Sequence, residues 1–288
     1  MASTGANTIS TKTYRDKYRL AALDQILRAG LVAEKICMVD RSDAKTIQSP
    51  YGSQPTTVVS ALTGTYAVAD YTTTDSTLTV ADEFKVAEQV YDFENTLGNF
   101  DLFANRADEQ MYSVMTSIDS YVVNALALGG TGAYTTPTGG FTTAANVGVI
   151  ISNIISKLSG YADVYKGMYV VVENTDLTGI IQYQSTSGFS YADAVLNNGF
   201  VTSIMGVDVY VVRTGTFVTG TVGTLTFANS GCRLAGVKNV ATYAAPRGVQ
   251  FEEKGVSGKT GKEVVTYGYC GVKVWGAKAA LTIKITLA

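Results

Sequence analysis

The chain has 288 residues, enough to bury a sizeable core and to form more than one subdomain. Only 16% of them are charged and the net charge is −2, against about 25% charged in an average soluble domain, so there is none of the basic excess of a protein built to grip phosphates. Histidine is absent, which removes the usual general base, the usual catalytic triads and most zinc and iron sites.

The opening MASTGANTIS has no charged stretch followed by an apolar core, so no secretory signal is expected. No run approaches the roughly 20 apolar residues of a membrane helix. A polar arm to Thr13 leads into Tyr14 to Gly30, where Tyr18, Ala22, Ile26 and Leu27 stand at helical spacing and Gly30 is a stop. Lys12, Arg15, Lys17, Arg19 and Arg28 outnumber Asp16 and Asp24 there. So few charges read as a solvated helix face, with nucleic acid or an acidic partner as the sharper alternative. Cys37, Cys232 and Cys270 are widely spaced and form no CxxC pair, the pattern of structural thiols in a reducing cytosol.

From Ala44 to Asp92 the texture is β. Pro50, Gly52, Pro55 and Gly64 punctuate β-branched runs, and Leu78 to Tyr91 is the longest candidate strand. An extended β hairpin is expected. It has no Lys or Arg between Thr46 and Phe84, while Asp70, Asp75, Asp82 and Glu83 are acidic. One sign of charge on a projecting hairpin fits docking onto something basic, or equally a loop kept soluble by its acids.

Phe100 to Leu128 carries the strongest periodicity. Phe103, Ala107, Met111, Val114, Ile118, Tyr121, Ala125 and Leu128 recur at gaps of three and four, with polar residues on the other face. A rod of roughly 40 Å is expected, stopped at Gly129-Gly130 because glycine accepts the left-handed backbone that closes a helix. One long helix across a mostly β chain points to architecture before chemistry.

Thr131 to Gly140 reads as a linker and Ala144 to Leu158 as a buried helix. Met168 to Glu173 reads as a central strand, followed by a helix through Ile181 that Asn174 or Thr175 can cap. Val207 to Val212 and Gly220 to Phe227 are further strands, so residues 131–231 suggest a compact α/β lobe. Arg247 to Glu253 and Glu263 to Trp275 form a hairpin around Gly255 to Gly261. Leu281, Ile283, Ile285 and Leu287 alternate with Thr282, Lys284 and Thr286 as a half-buried strand.

Chemistry finds little support. Gly258-Lys259-Thr260 resembles part of a phosphate loop, but the position that needs a glycine is Glu253, and the segment joins strands instead of opening a helix. Asp82-Glu83 and Glu252-Glu253 are adjacent on strands and point to opposite faces. Trp275 stands alone, without the aromatic and basic interleaving of a single-strand platform.

The order of these elements, with the long helix opening near Glu94-Asn-Thr-Leu-Gly-Asn-Phe-Asp101 and the closing run Val264 to Ile285, resembles the major capsid proteins of tailed double-stranded DNA bacteriophages. The resemblance implies an α+β, Hong Kong 97-like fold. It comprises an N-terminal arm and short helix (1–43), an extended β-hairpin loop (44–92), a peripheral domain (93–130 with 232–288) and an α/β axial domain (131–231). It also implies a virion protein, assembled in the host bacterial cytoplasm as hexamers and pentamers around packaged double-stranded DNA, with no catalytic, metal or cofactor site. A portal, a scaffolding protein and a decoration protein are the partners it brings with it.

The best-known member crosslinks a loop lysine to a neighbour's asparagine and carries a long scaffold-like N-terminal segment. This loop has no lysine between Lys45 and Lys85, and no Asn follows Asn239. A non-covalent shell is therefore expected, and the roughly 90 residues before the long helix favour a separate scaffold. Asp70, Asp75, Asp82 and Glu83 are expected to meet Arg247, Lys254, Lys259 or Lys262 of a neighbour. An encapsulin-like nanocompartment and a β-rich tail-tube or adhesin module are the alternatives.

Overall fold

The computed structural model describes residues 32–52, 73–91, 102–159, 167–186, 200–255 and 261–288. The expected helix at Tyr14 to Gly30, Asp70, Lys259 and the turn at 256–260 lie outside them. The first described element is a five-residue helix, α1 (Val32–Ile36), followed by β1 (Met38–Asp40). β2 (Thr46–Gly52) and β3 (Thr73–Thr79) pair antiparallel as the expected hairpin, and β4 (Asp82–Tyr91) follows.

The single strand expected over Leu78 to Tyr91 is two strands. The chain breaks at Val80-Ala81 because β3 hydrogen-bonds β2 while β4 joins a different sheet, and Asp82 turns inward. The long helix, α2 (Leu102–Gly129), has 28 residues and is about 42 Å long. Val114, Ile118, Tyr121 and Ala125 of its apolar stripe are buried, while Leu128 is exposed. Its glycine stop works by close approach. Gly130 has no left-handed backbone, and a Cβ there would lie 2.6 Å from the Thr282 carbonyl oxygen.

The expected linker contains β5 (Gly132–Thr135), and α3 (Ala144–Leu158), β6 (Met168–Glu173) and α4 (Leu177–Thr186) follow. Next come the antiparallel pair β7 (Phe200–Ile204) and β8 (Val207–Val212), then β9 (Thr219–Val222) and β10 (Leu225–Ala228). Gly220 to Phe227, expected as one strand, is thus a hairpin folded at Gly223-Thr224. The chain continues with β11 (Cys232–Val237), β12 (Ala241–Ala244), β13 (Val249–Gly255), β14 (Gly261–Val274) and β15 (Thr282–Thr286).

The 14-residue β14 organises one sheet: β12 pairs with its C-terminal end, β13 and β4 flank it on opposite sides, and β1 extends from β12. The other sheet runs β5-β15-β11-β6-β8-β7 and joins strands from both sides of residue 231. Alternation along β6 divides two cores. Tyr169 and Val171 pack with Ile118, Val122 and Leu126 of α2, whereas Val170 and Val172 pack with Ile150, Ile154 and Ile180 of α3 and α4. A sheet covered on both faces buries even its Thr side chains, which is why Thr282 is buried beside Ile283.

Candidate functional site

Buried polar contacts gather on the excursion between β8 and β11 that carries β9 and β10. From β4, the Asp82 carboxylate accepts from the Tyr121 hydroxyl of α2, from the Thr224 amide at 2.7 Å and from the Thr224 hydroxyl at 2.9 Å. Asp82 therefore leaves the expected docking set: a carboxylate 6% exposed, with three internal donors, is not displayed to a neighbour. Glu83, on the other face, is exposed and pairs with Lys85 at 3.1 Å.

From α2, Asn124 donates to the Thr216 carbonyl at 2.7 Å and accepts from the Val218 amide at 3.1 Å. Asn229 donates back to the Asn124 carbonyl at 3.0 Å. From the six-stranded sheet, Glu173 accepts from the Gly215 amide at 3.0 Å and pairs with Arg233 at 3.2 Å; Arg233 also binds Asp176. The guanidinium lies 5.7 Å from the centre of the Phe217 ring. One buried arginine between two carboxylates, each further hydrogen-bonded, is a structural clamp. Most of these partners are dozens of residues apart, and Asn124 falls outside the apolar stripe of α2, so nothing local in the sequence flags them.

A cleft of about 330 Å³ lies between α2 and the 213–222 segment, with Phe84 and Phe227 among its lining. Three of its hydroxyls are committed to carbonyls: Thr116 to Tyr112 at 2.8 Å, Ser117 to Ser113 at 2.9 Å and Ser120 to Thr216 at 2.8 Å. The three cysteines are buried and free, and burial pushes the Cys37 thiol up to about 12 and raises that of Cys270, which keeps both unreactive. The described residues hold no group of three or more potential metal ligands.

On the surface, Arg247 pairs with Asp43 at 3.3 Å, Lys254 with Glu252 at 3.2 Å and Lys262 with Glu253 at 2.7 Å. Asp75 lies on β3 and opposes Pro50. In these pairs the partners of Arg247, Lys254 and Lys262 are Asp43, Glu252 and Glu253, which lie outside the expected acidic set.

No family model and no curated protein matches the sequence. Solved structures do match. The capsid of cyanophage P-SCSP1u superposes with a TM-score of 0.74 at 13% identity, covering 97% of this chain and 93% of that one. Mycobacterium phage Che8 gives 0.68 at 14%, covering 97% and 96%. A virus-like particle from Pyrococcus furiosus gives 0.59 at 10%, covering 93% and 97%.

The chain has the phage capsid fold. Its α+β, Hong Kong 97-like architecture is the one implied by the order of elements. In the capsid fold as this chain builds it, α2 packs between the two sheets, and the buried clamps join them through β9 and β10.

Proposed function

We propose that this chain is the structural subunit of a phage head. It assembles as hexamers and pentamers into a closed icosahedral shell around double-stranded DNA, without covalent crosslinks and without enzymatic activity. The observation that carries the reading is the likeness to phage capsid chains over nearly the full length of both partners. A near-neutral charge agrees with it, since a strongly basic lining would hold the genome against the wall. The reading includes a separate scaffolding protein, a portal, an optional decoration protein and assembly in the host bacterial cytoplasm.

Asp70, Asp75 and Glu83 of one subunit are proposed to meet Arg247, Lys254, Lys259 or Lys262 of the next. The present intrachain partners of Arg247, Lys254 and Lys262 are exposed pairs that hold little energy, so exchange across an interface costs little and sets register more than strength. Lys254→Glu with Lys262→Glu should weaken assembly at low salt, as light scattering would read. Unchanged assembly would remove these contacts from the reading.

Electron microscopy of the chain, expressed alone and with its neighbouring genes, tests the function itself. Closed icosahedral particles are expected; tubes, or a monomer in both preparations, would overturn it. The likeness to a virus-like particle also keeps an encapsulin-like compartment as a second reading. Nuclease-protected DNA inside the particles favours the phage head, and a co-purifying protein cargo the compartment.

A further inference from the structure

The cleft between α2 and the 213–222 segment has a wall pinned from two sides. Asn124 of α2 grips the Thr216 carbonyl and the Val218 amide, Ser120 donates to the same carbonyl, and Glu173 of β6 accepts from the Gly215 amide. These bonds keep that backbone from collapsing onto the helix. A site fixed in advance loses little freedom when a ligand enters.

At about 330 Å³ the cleft stands at the small end of ligand pockets, which run from roughly 300 to 1,000 Å³. Phe84, Val218 and Val222 line it and are only partly buried. Phe84 meets Tyr121 edge to face at 5.4 Å, and Tyr121 meets Phe227 in the same way at 5.8 Å. One side of the cleft is therefore apolar, with its rings held in place.

The polar lining is largely engaged. The hydroxyls of Thr116, Ser117, Ser120 and Thr216 donate to carbonyls, the Asn124 amide is used at both ends, and the Tyr121 hydroxyl is bound to Asp82. Arg213 differs. It is the charged residue of the lining, it is exposed, and among the described residues its side chain has no hydrogen-bond or ion-pair partner. No carboxylate shares the lining with it. A guanidinium presents a planar fork of donors that matches a carboxylate.

We propose that this cleft binds an organic anion of one class, a ring-sized apolar group that carries a carboxylate. The apolar group lies against Phe84 and Val222, and the carboxylate pairs with the Arg213 guanidinium. A cation would face that guanidinium, and a neutral polar molecule would find most of the donors already taken. Free aryl acids and peptide chains ending in an aromatic residue share the required chemistry. The site goes beyond the shell reading and does not depend on it.

Calorimetric titration of the full chain tests it, with 3-phenylpropionate, its amide and N-acetylalanylphenylalanine as probes. The free acid should bind with a Kd of about 1 mM, and the amide at least about tenfold more weakly. Arg213→Gln should remove that difference by weakening the acid alone, and Arg213→Lys should keep part of it. Arg213 is exposed, so both variants should melt like the parent when no ligand is present. Ser117→Trp, which fills the cleft from α2, should block acid and amide alike. Tighter binding of the dipeptide than of the free acid assigns the site to a chain end, and weaker binding assigns it to a free acid. No binding of either acid at ten times the expected Kd would overturn the proposal. Equal binding of acid and amide, or acid binding that survives Arg213→Gln and Ser117→Trp, would overturn it too.

Discussion

At Asp82 one carboxylate ties the start of β4, the middle of α2 and the turn between β9 and β10. Removing it strands three donors, whereas removing the Tyr121 hydroxyl leaves the carboxylate two. Asp82→Ala should lower the unfolding free energy by roughly 2–4 kcal/mol and Tyr121→Phe by about 1 kcal/mol, as urea denaturation of the subunit would measure. The reverse order would contradict the assignment. Asp119 behaves differently. It caps α1 by accepting from the Ala33 amide at 2.7 Å, yet burial outweighs that bond and raises its carboxyl from 3.8 to about 6. Between those values the folded chain holds more protons than the unfolded one, so this group's contribution is best at low pH and is lost as pH rises towards 6. Asp119→Asn keeps an acceptor and cannot ionise. Its stability should exceed the parent's near neutrality and converge with it below about pH 4; a constant difference across that range would refute the argument. Neither role is legible in the sequence: Asp82 reads as one of several surface acids, and what reverses it is a tyrosine 39 positions away.

Elements were legible where one local period governs them. α3 keeps its expected bounds because Val147, Ile150, Ile151, Ile154 and Leu158 face a single core, and Met168 to Val172 of β6 is an uninterrupted apolar run because its sheet is covered on both faces. Leu78 to Tyr91 misled because strand propensity continues through a break that partner choice imposes, β2 for one half and β14 for the other. The roles of glycines were half legible. At Gly179 in α4 a Cβ would meet the Phe141 carbonyl oxygen at 2.2 Å and that of Thr142 at 2.6 Å. Neither backbone can yield cheaply, so Gly179→Ala should cost roughly 3 kcal/mol and lower the melting temperature. An unchanged melting temperature would show that α4 can move away.

At the scale of the molecule, the order of elements along the chain was enough to place the fold, through its resemblance to the phage capsid proteins. Sheet partnership was not, since β11 and β15 join β6 across the residue 231 boundary and nothing local in their sequence announces it. The lack of lysine between Lys45 and Lys85 bears on the assembled shell. Particles boiled in detergent should run as a single 30.5 kDa band, and a ladder of multimers would disprove the non-covalent reading. β14 adds a mechanical consequence. From Lys262 to Gly268 it is bonded by β13 on one side and β4 on the other, and antiparallel hydrogen bonds lie across the strand direction. A pull along β14 therefore loads both rows in shear and must break many bonds together. The two-stranded β2–β3 hairpin, pulled apart at its open end, would unzip one bond at a time. Under the same load, the first would hold its length while the second gave way.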